Sequence, residues 1–226
     1  MARGTVASAV LDEPVPRLVE VPPVVPPNAG EGPSSWWPPS GKESVISNAR
    51  LGMLAFLAFE TMFFGGLLGA FLVFRLSSVR WPPPGQPYLP GAITWINTAI
   101  LLASSYTMGR ALRAIRAGDH SGLLHGLGIT ALLGTIFLAV QGTEWVRLVR
   151  FGLTLSSGTY GSIFYTLIGC HGVHVLGAVI WLLVVLLQAV RSRFTGRDHV
   201  GVQLCGMYWY FVVSLWPVLF GLVYLS

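Results

Sequence analysis

The sequence predicts an all-α integral membrane protein with a bundle of five transmembrane helices. Of its 226 residues, 53% are hydrophobic and only 10% are charged, whereas soluble domains carry about 25% charged residues. The charged residues also bound five long apolar windows, each able to hold the roughly 20 residues of a spanning helix. A soluble helical bundle is disfavoured, because five such windows would leave too little polar surface for water.

The first 44 residues differ in composition and are predicted to form a flexible, proline-rich cytoplasmic tail. Pro-Pro pairs recur at 22–23, 26–27 and 38–39 among glycine and serine, which is typical of extended linkers. No apolar stretch follows the first charge, so a cleaved signal peptide is not expected. Residues 45–226 are predicted to form the membrane domain.

One helix is predicted in each apolar window of the membrane domain. The first window holds one charged residue, Glu60, and the others hold none. The longest window could hold two helices, but residues 152–161 are small and polar and are predicted as an interfacial loop. The predicted helices are 48–76, 92–115, 122–147, 162–190 and 201–224.

Basic residues predict the orientation of the bundle. Ten of the 14 lysines and arginines lie on one side of the predicted bundle: four up to Arg50, three at 110–116 and three at 191–197. Because cytoplasmic segments carry the excess of Lys and Arg, the N-terminus is predicted inside and the C-terminus outside. The net charge of +5 then reflects topology and anionic lipid, and no nucleic-acid partner is expected.

Glu60 is the only acidic residue predicted at membrane depth, where a charged group is costly to bury. A helical wheel places large apolar side chains around it, and alanines and glycines, including Gly65 and Gly69, on the opposite side. The small face is predicted to pack within the bundle, and the Glu60 face to meet a lipid cleft or another subunit. A structural hydrogen bond, a lipid or interface site and a proton relay all stay open for Glu60.

His171 and His174 are three residues apart in helix four and are expected roughly on one face. Two histidines on one face cannot occupy the opposite axial positions of a heme. A metal would need further ligands, and only Cys170 and a distant Glu60 are available at depth. Polar packing, or contact with lipid or a subunit, is therefore predicted. Cys170 and Cys205 are predicted to be small apolar residues rather than a disulfide.

Two other polar pairs are predicted to be structural. Glu144 and Arg147, three residues apart at the end of helix three, are predicted to form a local ion pair. Asn97 and Thr98, early in helix two, are predicted to make interhelical hydrogen bonds. The sequence holds no phosphate-binding loop, no Ser/His/Asp arrangement and no carboxylate pair.

Four stretches in order along the chain resemble a known family. They are residues 52–66 around the glutamate, 97–105, 141–145 (Gln-Gly-Thr-Glu-Trp) and 160–175 with both histidines. On these the chain is similar, over about 48–226, to subunit III of the heme-copper terminal oxidases, which are cytochrome c oxidase and its quinol oxidase relatives.

The resemblance implies a V-shaped bundle beside the catalytic subunit I, with phospholipid bound in the cleft. By this likeness Glu60, His171 and His174 line the cleft, and Arg191 and Arg193 meet lipid phosphates. The chain is expected to hold no cofactor, heme and copper being in partner subunits. Its implied role in aerobic respiration is to stabilise subunit I and to support proton uptake by an oxygen-reducing proton pump.

The resemblance also implies partners and a location. Subunit I is the main expected partner, subunit II and a small subunit IV are further ones, and the bacterial plasma membrane is the expected site. The chain would be part of an oxidoreductase complex without a catalytic centre of its own. The electron donor, cytochrome c or quinol, is set by other subunits.

The last helix departs from the family pattern, and two other functions stay open. Tyr210 and Val213 stand where the family usually has histidine and aspartate, and Pro217 could kink the helix. Five spans are expected where longer members have seven, so the two helices forming one arm of the V are expected to be missing. The alternatives are a subunit III-like partner of a nitric oxide reductase and a transporter or proton channel using Glu60.

Overall fold

A computed structural model describes residues 47–79, 91–152, 154, 158–195 and 198–224. These residues form five α-helices and no strand, so the predicted all-α class is confirmed. The predicted tail, residues 1–44, lies outside the described part of the chain. The helices are α1 (Asn48–Ser77), α2 (Gly91–Arg116), α3 (His120–Arg150), α4 (Thr159–Val190) and α5 (Val200–Tyr224).

Helices α3 and α4 begin earlier than predicted. The side chain of Asp119 accepts a hydrogen bond from the backbone N–H of Gly122 at 2.9 Å, so α3 starts at His120 rather than 122. An aspartate in this N-cap position satisfies a backbone donor that the helix leaves free. Helix α4 starts at Thr159, which makes the end of the predicted loop 152–161 helical.

Four of the five helices, α1, α3, α4 and α5, are long and apolar enough to cross a membrane. The fifth, α2, carries polar side chains that are buried against its neighbours. Asn97 Nδ2 donates to the carbonyl of Phe137 at 3.2 Å. Thr98 Oγ1 accepts from the Trp216 indole N–H at 2.9 Å. The interhelical bonds predicted for these two residues are therefore confirmed.

Helices α2 and α3 form the tightest pair in the bundle. A Cβ atom placed on Gly126 would lie 2.9 Å from the backbone nitrogen of Ala111, so only glycine permits this approach. One turn away, the hydroxyls of Thr107 and Thr130 are 2.7 Å apart. Helix α5 packs on α2 and α4 and runs without interruption through Pro217.

Helix α1 lies at the edge of the bundle and contacts only α4 and α5 among the described residues. Its buried residues share one face, which turns toward those two helices. They are Met53, Glu60, Phe64 and Phe71.

The prediction that the glycine face of α1 packs within the bundle is wrong for this chain. A Cβ atom on Gly65 or Gly69 would meet nothing within 4 Å, whereas Phe64 and Phe71 are almost fully buried. Large aromatic side chains gain more contact area on packing than glycines. The Glu60 face also finds a hydrogen-bonding partner inside the bundle.

Candidate functional site

Glu60 and His174 meet at the seam between α1 and α4. His174 Nε2 lies 2.9 Å from Glu60 Oε2. At 1.5 Å per residue, Glu60 is about 18 Å from the start of α1 and His174 about 24 Å from the end of α4. The start of α1 and the end of α4 are on the same side of the bundle, because each helix crosses it once. The two side chains therefore reach similar depths on adjacent helices.

The second ring nitrogen of His174 determines how many protons the pair holds. Nδ1 lies 2.7 Å from the carbonyl oxygen of Cys170. A carbonyl only accepts, so Nδ1 carries a proton. One further proton is then shared between Nε2 and Oε2 of Glu60. With that proton on oxygen both groups are neutral, and with it on nitrogen they form an ion pair. In both forms the pair has no net charge, which suits a site at membrane depth.

Two aromatic rings pack against the His174 side of this pair. The Phe64 ring meets the His174 ring edge-on at a centroid distance of 5.0 Å, and Phe63 stacks on it at 6.2 Å. Glu60 is 9% exposed. A hydrogen bond in such surroundings is electrostatically stronger than one in water, and an unpaired partner is correspondingly costly.

His171 points away from this pair, although the two histidines were expected roughly on one face. Its ring stacks on Trp216 of α5 at 5.2 Å and is 1% exposed. Neither ring nitrogen has a hydrogen-bond partner among the described residues. The ring lines a cavity of about 230 Å³ between α3, α4 and α5, together with Gln141 and Trp145.

The remaining predicted site residues lie at the end of α4. Arg191 and Arg193 are both exposed in the turn that follows the helix, where Ser192 has a φ of 54°. The structure therefore joins Glu60 to His174, places His171 on another side of α4, and leaves both arginines on the surface.

The polar pair at the end of α3 and the cysteines agree with their predictions. Arg147 Nη1 is 3.0 Å from Glu144 Oε1, which confirms the local ion pair. Cys170 and Cys205 are free thiols. Within the described ranges, no group of three or more His, Cys, Asp or Glu side chains could hold a metal ion.

Sequence reasoning identified Glu60 and His174 singly but missed the bond between them. It also missed two other bonds that join α1 to α5. The information that could have revealed the Glu60 bond is the similar depth of the two residues on helices with opposite directions. The other bonds are Arg50 Nε to Gln203 Oε1 at 3.0 Å and Arg75 Nη1 to the Leu222 carbonyl at 3.3 Å.

Comparison with known proteins gives one consistent family. Residues 39–226, which include all five helices, match the profile described as Cytochrome c oxidase subunit III. Cytochrome c oxidase subunit 3 of Synechocystis sp. is 40% identical over 175 residues, covering 77% of this chain and 74% of that protein. A probable cytochrome c oxidase subunit 3 of Nocardia farcinica is 38% identical over 176 residues, covering 77% and 86%. The subunit 3 of Pelomedusa subrufa is 32% identical over 206 residues, covering 84% and 78%.

Proposed function

The chain belongs to the cytochrome c oxidase subunit III family, and we propose that it acts by stabilising subunit I, holding phospholipid and supporting proton uptake. As a member of this family it is an accessory membrane subunit of a multi-subunit oxidase. Subunit I is the proposed main partner, and subunit II and a small subunit IV are proposed further ones. Heme and copper are proposed to reside in partner subunits. The proposed location is the bacterial plasma membrane, with the N-terminus cytoplasmic and the C-terminus outside.

The support role is favoured by the way α1 is attached to the bundle. This helix is mostly exposed, yet polar bonds fix it near both ends and in the middle. A helix held at three depths keeps a constant position and presents a constant surface to a partner. The three bonds are Arg50–Gln203, Glu60–His174 and Arg75 to the Leu222 carbonyl.

Glu60 is therefore proposed to act as a positioning residue through His174. One of its two carboxyl oxygens, Oε2, is bonded to the imidazole, which supports the hypothesis of a structural hydrogen bond. We also propose that His171 contacts lipid or a partner group through its cavity, and that Arg191 and Arg193 meet lipid phosphates.

The test compares oxidase complexes purified with wild-type chain, Glu60→Ala and Thr61→Ala. Thr61 is the matched control, because its hydroxyl donates only to Leu57 of its own helix. Mass spectrometry counts the subunits and phospholipids retained, and oxygen consumption is measured per heme. We expect Glu60→Ala to lower retention of this chain and of lipid, with unchanged initial turnover per intact complex. An immediate large loss of turnover, with chain and lipid retained, would contradict the support role.

A further inference from the structure

A groove runs along the bundle surface between α1 and α2, with α5 as its floor. In the part of the chain that the structure describes, α1 and α2 both contact α5 but not each other. At membrane depth the groove has a volume of about 550 Å³. Its walls include Leu57 of α1, Leu102 and Ser105 of α2, and Met207 and Phe211 of α5. This part of the groove is mostly apolar.

The groove has a basic end beside the N-terminus of α1. There Arg50, Arg116, Gln203 and Tyr210 line a pocket of about 330 Å³. Met207 and Tyr210 line both this pocket and the apolar part. The basic end and the apolar part therefore adjoin as one groove.

The positive charge at this end has no carboxylate partner among the described residues, whose ion pairs lie elsewhere. Arg50 donates through Nε and Nη2 to Oε1 of Gln203, a neutral amide that orients the guanidinium without cancelling its charge. Arg116 is exposed at the last residue of α2. One turn earlier, Arg113 donates Nε to the Gly109 carbonyl at 3.3 Å. Guanidinium groups present a planar fork that matches phosphate oxygens.

The depth of the groove corresponds to one leaflet of a bilayer. At 1.5 Å per residue, Leu57 lies about 10 Å beyond Arg50, and Leu102 lies about 21 Å beyond Arg116. Half of a bilayer about 40–45 Å thick, headgroup layers included, is roughly 20 Å. The arginines are therefore at headgroup level when the apolar walls are at acyl-chain level.

We propose that this groove binds one anionic glycerophospholipid, with its phosphate at Arg50 and Arg116 and an acyl chain along the apolar walls. Such a molecule neutralises the basic end and covers the apolar part at once. A transmembrane helix of a partner would cover the apolar part but would need an acidic residue at the level of the arginines. The inference rests on the proposed lipid-holding function and adds a site to it, because the groove residues are separate from Glu60, His174 and the turn after α4.

The first experiment tests the basic end in the purified oxidase complex. The complex is stripped of lipid in detergent, then mixed with phosphatidylglycerol, phosphatidylcholine or inorganic phosphate, and bound lipid is counted by native mass spectrometry. We expect phosphatidylglycerol to bind preferentially. Arg116→Gln should weaken it about five-fold, because a basic residue near the membrane surface contributes roughly 1 kcal/mol. Arg110→Gln, an exposed control on the same helix outside the groove, should leave it unchanged.

The second experiment fills the apolar part. Ser105→Phe places a ring in the groove, whereas Ala103→Phe places one on the exposed side of the same helix. We expect only Ser105→Phe to reduce phosphatidylglycerol binding, with the subunits and heme of the complex retained.

Three outcomes would overturn the proposal. Equal binding of phosphatidylglycerol and phosphatidylcholine would show that the negative charge of the headgroup is not recognised. If inorganic phosphate displaces the lipid and Ser105→Phe has no effect, the basic end is an anion site only and the apolar part binds no acyl chain. A photo-crosslinker at position 105 that captures another subunit instead of lipid would show a protein interface. None of these results depends on Glu60→Ala, so failure here is distinguishable from failure of the support role.

Discussion

The bond between Glu60 and His174 predicts a specific result for a double-mutant cycle. Glu60→Ala removes the carboxyl and leaves His174 Nε2 without its partner between Phe63 and Phe64. His174→Ala leaves the carboxyl without its partner at the same depth. The double variant removes both groups, so it should cost less stability than the sum of the two single variants.

The expected size follows from the environment of the bond. Interhelical hydrogen bonds in membrane proteins average about 0.6 kcal/mol and reach about 1.7 kcal/mol. The N–O distance is 2.9 Å and Glu60 is nearly buried, which places this bond at the upper end. We therefore expect a coupling energy of about 1.5 kcal/mol. Each single variant should cost about 2 kcal/mol, because each leaves a polar group unsatisfied, the buried Glu60 carboxyl or the half-buried His174 ring.

Glu60→Gln tests the proton arrangement of the pair. With Nδ1 of His174 donating to the Cys170 carbonyl, Nε2 of the neutral ring accepts, and an amide N–H at position 60 can donate to it. We expect this variant to cost less than about 1 kcal/mol.

The assay is denaturant unfolding of the full chain within the complex, in one detergent mixture, with subunit release as the readout. A coupling energy near zero would refute the bond as an attachment of α1. A Glu60→Gln variant as unstable as Glu60→Ala would exclude the neutral form of the pair and leave the ion pair.

Two further predictions concern the bundle and use the same unfolding assay. Gly126→Ala should cost about 1–3 kcal/mol, because its Cβ would overlap the backbone of α2. Gly128→Ala is the matched control and should be neutral or stabilising, since its Cβ meets nothing within 4 Å. His171→Phe should cost the complex about 1 kcal/mol, because it keeps the ring against Trp216 but removes the two nitrogens proposed to contact lipid or a partner group. A His171→Phe variant as stable as wild type would show that neither lipid nor another subunit bonds to this ring.

The helices were predictable because their evidence is local. Long runs without charge mark a spanning helix wherever it sits in a bundle. Helix α2 shows the limit of that rule, since Asn97 and Thr98 lower its apolar character. Both are still acceptable at depth, because the backbone of Phe137 and the indole of Trp216 satisfy them.

The orientation of α1 was not predictable from its helical wheel. In lipid, an apolar face can meet acyl chains, its own bundle or another subunit at similar cost, because lipid tails are as apolar as leucine. A glycine face such as that of Gly65 and Gly69 therefore indicates that close approach is possible, without indicating the neighbour. Polar groups decided the outcome here, since Glu60 gains a partner only when it turns toward α4.

The same reasoning explains the partners that were missed. Helix α1 skips α2 and α3 and packs on the last two helices of the chain, which proximity in sequence cannot predict. Depth in the membrane limits which residues can pair, because each buried polar group must find a partner at its own level. Tyr210, which departs from the family pattern, shows what depth alone cannot predict. This residue lines both parts of the groove. It can do so only because α1 and α2 lie apart on either side of α5.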